Sequence, residues 1–349
     1  MKKIGIISPI ARIIIDESNI RSLEVIYLKK YLEETYKCTV DFISKKINEK
    51  DQNYINIFDL ESLNHYDALY IHNHNSNFFG GTVPSLTVKY LRLLADYHGK
   101  VTYYITDPKL KYVNLATIIN NRKKNLKFED QSIDLYHNGE LKKIESDLKF
   151  MELRMNALFT GYNYQPIYGL DFSNVKKFDV FKTIKFDYLN KAQANLFDED
   201  DLILYDCCYY GDNRGTHRNN KIKKYFNTDK LNTLLIGCNL DIVNNTYVDK
   251  VPHQQLHRLV KRSYSSLVIG DKEHENAFVT MRFYENIHFD VVSFIDKDYD
   301  ANKVLFKSQL LKDFNYINSQ DELKDKVRRL QTEKNLLTEI LKLQKQELN

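Results

Sequence analysis

Four stretches of the chain combine residue types that can do chemistry. Asp107-Pro108 closes the apolar run Val101–Thr106. A carboxylate at the carboxyl end of a strand is placed as a general base for a hydroxyl brought within hydrogen-bond reach, although Asp before Pro also makes ordinary turns and caps. The second stretch, Tyr205 to Arg218, places Gly211, Arg214 and Arg218 between an apolar run and a helical pattern. There the backbone can approach a ligand at glycine, a helix N-terminus offers N–H donors, and two guanidinium forks lie about one helical turn apart, a set that suits an anion. It is neither a P-loop nor G-x-G-x-x-G, and the Asp212 carboxylate would repel a phosphate unless a metal or a sugar meets it. In the third, Gly270-Asp271-Lys272 ends a run and Asn276 can cap the next helix, on which Arg282 and Glu285 share a face at i,i+3. Those two make either an intrahelical ion pair or a nucleotide site, with the carboxylate on ribose hydroxyls and the arginine on a phosphate. The fourth, Asn77-Phe-Phe-Gly-Gly81, has adjacent glycines that imply close backbone approach or positive φ. Just upstream, His72-x-His74 has metal-like spacing without an evident third ligand.

The elements that must position these residues alternate. Ile4–Ser8, Cys38–Ser44, Asp67–His72 and Val101–Thr106 read as buried strands, with helical periodicity over Ser22–Tyr36 and Leu86–Tyr97. The stretch 110–188 is rich in Lys, Asn and Asp and irregular in its apolar pattern. Alternation resumes with strands at Leu202–Tyr205, Leu231–Ile236, Ser266–Ile269 and Val291–Ile295, and helices at Thr216–Phe226, after Pro252, and at Phe278–Phe289. Such a rhythm predicts an α/β protein with two doubly wound, Rossmann-like domains, 1–188 and 189–318, facing across a central cleft. Ligands of these sheets bind beyond the carboxyl ends of the strands. Ser319-x-x-Glu322 is a capping box, and the stripe Leu323, Val327, Leu330, Leu337, Ile340 and Leu341 predicts one long helix within 319–349 that packs back on the body.

Composition sets bounds. Of 349 residues only 11 are Gly and 5 Pro, and there is no Trp, but 25 Tyr and 19 Phe are present. A 43% apolar chain of this kind can build a core and is not a low-complexity tail. No apolar run approaches the roughly 18 residues of a membrane span. The cysteines Cys38, Cys207, Cys208 and Cys238 lack C-x-x-C spacing and read as buried, reduced thiols of a cytoplasmic protein. The net charge of +4, with a basic cluster at Arg122-Lys123-Lys124 and Lys127, is compatible with a polyanionic partner without requiring one.

Four blocks together resemble the DNA β-glucosyltransferase family of T-even bacteriophages. They are Ser22-Leu-Glu24-Val-Ile-Tyr27; Asn77–Gly81 running at family-like spacing to Tyr103-Tyr-Ile-Thr-Asp107; Arg214-x-x-x-Arg218; and Leu267–Lys272 continuing through Phe278-Val-Thr-Met-Arg282-Phe-Tyr-Glu285. The resemblance covers about half the chain and implies a GT-B fold. The activity it implies is inverting transfer of glucose from UDP-glucose to 5-hydroxymethylcytosine in double-stranded DNA, with the modified base flipped out of the duplex. In that reading Asp107 is the catalytic base and Glu24 the acidic residue near the donor sugar. Gly211, Arg214, Arg218 and Arg282 contact the phosphates, Glu285 binds the ribose, and Val251 lies against the uracil.

The resemblance also implies a UDP-sugar and DNA as partners, no membrane, a monomer, and action in the cytoplasm, that of the host bacterium if the chain is phage-encoded. Mg2+ or Mn2+ for activity or product release is compatible with it, with no dedicated protein metal site evident. Departures are Asp212 in place of a small hydroxyl residue and Tyr210 in place of a glycine, and the absence of the family's tryptophans. Other readings of the same cleft are another UDP-sugar, an acceptor such as 5-hydroxymethyluracil, a glycosylated base or a non-DNA glycan, and a non-catalytic DNA-binding module.

Overall fold

The computed structural model describes residues 2–7, 20–43, 60–73, 97–105, 155–159, 174–177, 202–212, 215–275 and 280–348. The chain divides into two compact units, Met1–Val180 and Phe181–Asn349.

Among the described residues, the first unit holds six strands, β1 (Lys3–Ile7), β2 (Thr39–Ile43), β3 (Ala68–Asn73), β4 (Lys100–Ile105), β5 (Met155–Phe159) and β6 (Asn174–Lys177). All pair in parallel, in the order β2-β1-β3-β4-β5-β6. Helix α1 (Ile20–Tyr36) links β1 to β2, and a short α2 (Leu60–Leu63) precedes β3. Val25, Leu28 and Leu32 of α1 are buried with Ile4, Ile6 and Ile7 of β1, so an apolar strand face and an apolar helix stripe share one core. Sequence patterning anticipates the first four strands to within a residue or two. β5 and β6 lie in the irregular stretch where no strand is legible.

The second unit repeats the plan. Its strands are β7 (Tyr205–Tyr210), β8 (Thr233–Ile236), β9 (Asn245–Val248), β10 (Ser263–Val268), β11 (Val292–Asp296) and β12 (Tyr316–Ile317), again all parallel, in the order β12-β11-β10-β7-β8-β9. The helices are α3 (Thr216–Phe226), α4 (His253–Val260), α5 (Met281–His288), α6 (Gln309–Phe314), α7 (Gln320–Thr332) and α8 (Leu336–Gln346). From β7 the chain winds outward through β8 and β9; from β10 it winds the other way through β11 and β12. The crossovers after β7 and β10 therefore part, and a crevice opens at the carboxyl ends of these two central strands.

Two expectations change. The strand expected at Leu202–Tyr205 begins only at Tyr205: Leu202, Ile203 and Leu204 are exposed, and pairing with β8 and β10 runs through Tyr209-Tyr210 and Cys207-Cys208. The tail is not one helix. Asn335, with φ 71 and ψ −9, is left-handed and separates α7 from α8. Ser319 caps α7 as expected, its Oγ accepting from Glu322 N at 3.1 Å, while the Glu322 carboxylate turns back to Asn318 N at 2.9 Å. α7 packs against α3 and β10, and α8 against α5 and β11. Within α8 the apolar stripe also admits a fully buried amide. Gln344 Oε1 accepts from Ser293 N (2.8 Å) and Asn315 Nδ2 (2.7 Å). Among the described residues no helix is long and apolar enough to cross a membrane.

Candidate functional site

The crevice of the second unit gathers most of the chemistry-bearing residues. β7 ends at Tyr210 and is followed by Gly211, whose φ of 144 belongs to backbone that only glycine adopts readily. A Cβ there would stand 2.5 Å from Arg282 Nη2, so the guanidinium lies against bare backbone. Arg282 is the second residue of α5. Its Nη1 donates to the Ile269 carbonyl at the end of β10 (3.0 Å), and its guanidinium carbon sits 4.7 Å from the Tyr209 ring and 5.3 Å from that of Tyr210. Burial works against the charge, but Tyr209, Tyr210 and Glu285 outweigh it and hold the pKa above the ordinary arginine value. Arg282 Nε and the Tyr209 hydroxyl are buried with no hydrogen-bond partner among the described residues.

β10 ends at Val268, and two residues beyond it a Cβ at Gly270 would meet Tyr299 at 2.7 Å. That close approach lets the Tyr299 hydroxyl accept from Thr280 N (2.8 Å), which pins the start of α5 to the loop after β11. Burial pushes the Tyr299 phenol up to about 12, so it remains protonated.

α3 brings Arg218 to the same crevice. Its Nη2 pairs with Asp271 at 2.9 Å with both side chains about 11% exposed, and its Nη1 reaches the Asp212 carbonyl at 3.5 Å. One turn on, Lys221 ties α3 to the ends of β10 and β11 through Glu275 (2.8 Å), Asp298 (3.1 Å) and the buried Asp296, which also accepts from Tyr225 Oη. Cys238 is fully buried, and burial raises its thiol pKa while Arg218 and Arg282 pull it partly back. The Asp212 carboxylate, unfavourable to an anion on sequence grounds, is met by Lys250 Nζ at 3.0 Å, and this pair is solvent-exposed on the lysine side.

Glu285 lies one turn along α5 from Arg282 and is 4% exposed. The two do not serve as each other's main partner: Arg282 takes the Ile269 carbonyl, and Glu285 Oε1 receives His253 Nε2 at 3.0 Å. His253 begins α4, two residues after the half-buried Val251. Gly211, Arg218, Arg282 and Glu285 thus gather beyond the carboxyl ends of β7 and β10. Glu24 belongs to the other unit, on α1, where it is buried and its carbonyl accepts from Tyr104 Oη at 3.4 Å. Asp107, Arg214, Asn276, His74, Asn77–Gly81 and the basic cluster at Arg122 lie outside the described residues, although β4 ends two residues before Asp107.

Sequence reasoning missed His253, Lys250 and the Arg218–Asp271 pairing. All three are contacts across long stretches of chain, and only the glycine and proline punctuation beside them gave a local signal. Among the described residues no group of three or more His, Cys, Asp and Glu side chains could hold a metal ion.

The family model described as bacteriophage T4 beta-glucosyltransferase matches residues 2–156. The DNA beta-glucosyltransferase of Enterobacteria phage T4 is 26% identical over 356 residues, which span 96% of this chain and 92% of the relative. The chain is similar to the phage T4 beta-glucosyltransferase. A solved structure of T4 phage BGT in complex with UDP and Mn2+ superposes with a TM-score of 0.67 at 24% identity, covering 99% of this chain and 94% of that one. T4 phage BGT in complex with its UDP-glucose substrate gives a TM-score of 0.67 at 21% identity, with the same coverage. The fold is therefore that of the T4 enzyme, two parallel α/β units of GT-B type, as the sequence reading expects.

Proposed function

We propose that the chain is an inverting DNA β-glucosyltransferase that moves glucose from UDP-glucose to the hydroxymethyl group of 5-hydroxymethylcytosine in double-stranded DNA. The observation that carries this reading is the convergence of Gly211, Arg218, Arg282 and Glu285 at the crevice between β7 and β10. A pyrophosphate suits bare backbone flanked by two guanidinium groups, and a buried carboxylate one turn away suits the vicinal hydroxyls of a ribose. Relatedness to the T4 enzyme, whose solved complexes contain UDP and UDP-glucose, supports the same donor.

In this reading the second unit holds the donor. Arg218 and Arg282, with Arg214, neutralise the charge that develops on the departing diphosphate. Glu285 takes the ribose and Val251 the uracil face. The first unit supplies Asp107, which removes the proton of the acceptor hydroxyl as its oxygen attacks the anomeric carbon from the face opposite UDP. Glu24 steadies the sugar. One displacement converts an α-linked donor to a β-linked product, and the acceptor base must leave the duplex to reach it. Lysines and arginines along the DNA path bind phosphates without reading sequence. Among the described carboxylates, Asp212 and Asp271 each face a cation of the protein itself, Lys250 and Arg218. The protein acts as a monomer in the cytoplasm, that of the host bacterium if the chain is phage-encoded.

The test is turnover of UDP-glucose with duplex DNA containing 5-hydroxymethylcytosine, followed by mass spectrometry of the nucleosides. Parallel reactions use unmodified and 5-hydroxymethyluracil DNA and other UDP-sugars. A glucosylated hydroxymethylcytosine that disappears in Asp107→Asn, with UDP binding retained, is expected. Wild-type turnover in Asp107→Asn would remove the base assignment, and transfer to free glycans alone would remove the DNA acceptor.

A further inference from the structure

Glu285 sits in an environment that does more than bury it. His253 Nε2 lies 3.0 Å from Oε1, and both side chains are nearly inaccessible, 9% and 5% exposed. An ionised carboxylate only accepts hydrogen bonds, and His253 then donates to it from Nε2. The imidazole is itself held. Its ring is 5.5 Å from that of Phe289, a fully buried residue that also contacts His257 (5.1 Å) and Tyr210 (6.4 Å). Phe289 ends α5 one turn beyond Glu285, and its N–H donates to the Glu285 carbonyl at 2.8 Å. On the other side, Tyr210 Oη bonds Asn286 Oδ1 at 2.9 Å. Burial first, and then the Glu285 carboxylate, push that phenol far above its ordinary range, so it stays a donor.

We propose that His253 is a positioning residue for nucleoside recognition. It binds one oxygen of Glu285 and, with the Tyr210 phenol beside the same carboxylate, fixes the rotamer in which Glu285 meets the ribose hydroxyls. Because His253 follows Val251 and Pro252 at the start of α4, the same bond ties the segment expected to wall the uracil to the helix that carries the ribose ligand. Two parts of one nucleoside site, 32 residues apart in sequence, are thereby held in register. The inference rests on the donor-site reading above and names the residue that sets its geometry.

The experiment measures calorimetric affinities of the full-length protein for UDP and for 2′,3′-dideoxyuridine diphosphate, which lacks both ribose hydroxyls. Their ratio reports the hydroxyl contribution alone. Glu285→Ala is expected to bring the ratio close to one. His253→Ala is expected to lower it about tenfold, because UDP binding weakens far more than dideoxy-UDP binding, as for loss of a hydrogen bond to a charged group. His253→Gln, which keeps an N–H donor, is expected to restore the ratio to within about threefold. A His253→Ala protein that keeps the wild-type ratio, or that weakens both ligands equally, overturns the positioning role while a collapsed ratio in Glu285→Ala leaves the donor site standing. An unchanged ratio in Glu285→Ala overturns both.

Discussion

Gly211→Ala isolates the part of the crevice where backbone and guanidinium meet. At φ 144 an alanine is forced into backbone that costs of the order of 1–3 kcal/mol. Its Cβ would also lie 2.5 Å from Arg282 Nη2. That end of the arginine is not loose, because Nη1 is bonded to the Ile269 carbonyl and the guanidinium lies over Tyr209. The methyl group must therefore displace a charged donor from its anchored position. A hydrogen bond to a charged group contributes about 1.5–3 kcal/mol, so UDP affinity should fall by roughly 10- to 100-fold.

Gly215→Ala supplies the control. Its φ of 75 carries a comparable backbone cost, but nothing lies within 4 Å of the added carbon. Both variants should melt a few degrees lower, since 1 kcal/mol is worth about 2–4 °C in a domain of this size. Only Gly211→Ala should lose UDP binding beyond about threefold in calorimetry. Equal UDP affinities in the two variants would refute the claim that Gly211 exists to admit Arg282.

Lys221→Met should destabilise the second unit by about 3–5 kcal/mol, because it leaves the buried Asp296 without its cation; a melting temperature within 2 °C or so of wild type would contradict this. The Lys221 hydrogen bond also holds the Asp298 carboxyl below its ordinary range. Its small contribution is present above the unfolded carboxylate pKa of about 3.9 and is lost as pH falls through the lower folded value, so the acid-side slope of stability should flatten in Lys221→Met. All four cysteines are free and buried, and burial pushes Cys208 up to about 11, so the native protein at pH 8 should react with a thiol reagent far more slowly than the four equivalents released in denaturant. For Cys208 the raised folded pKa means stability is intact below about pH 8.5 and falls as pH rises from there through 11, readable as a lower melting temperature at pH 10. Asn335→Ala should cost about 1 kcal/mol instead of fusing α7 and α8, and Asn335→Gly should not, because the position is left-handed.

Much of the site was legible because its signals are local. A chain with few glycines spends them where backbone must turn or be approached, and Gly211 and Gly270 mark the ends of β7 and β10. The i,i+3 spacing of Arg282 and Glu285 and the Ser319 cap of α7 need only a helix to have meaning. An apolar run is less informative about its own ends. Leu202-Ile203-Leu204 has strand composition but stays outside β7, since register comes from β8 and β10. Short β9 and β12, each completed by a neighbour's hydrogen bonds, leave almost no periodic trace.

The amino-acid sequence by itself determined the α/β rhythm, the doubly wound class and the side chains able to bind a nucleotide, because hydrophobic period, glycine and helix caps act within a few residues. Tertiary structure alone decided their partners. Strand order places β7 beside β10, opens the crevice there, and brings His253 to Glu285 and Asp271 to Arg218. Charges and hydrogen bonds act through distance in space, and that distance exists only once the sheet has closed.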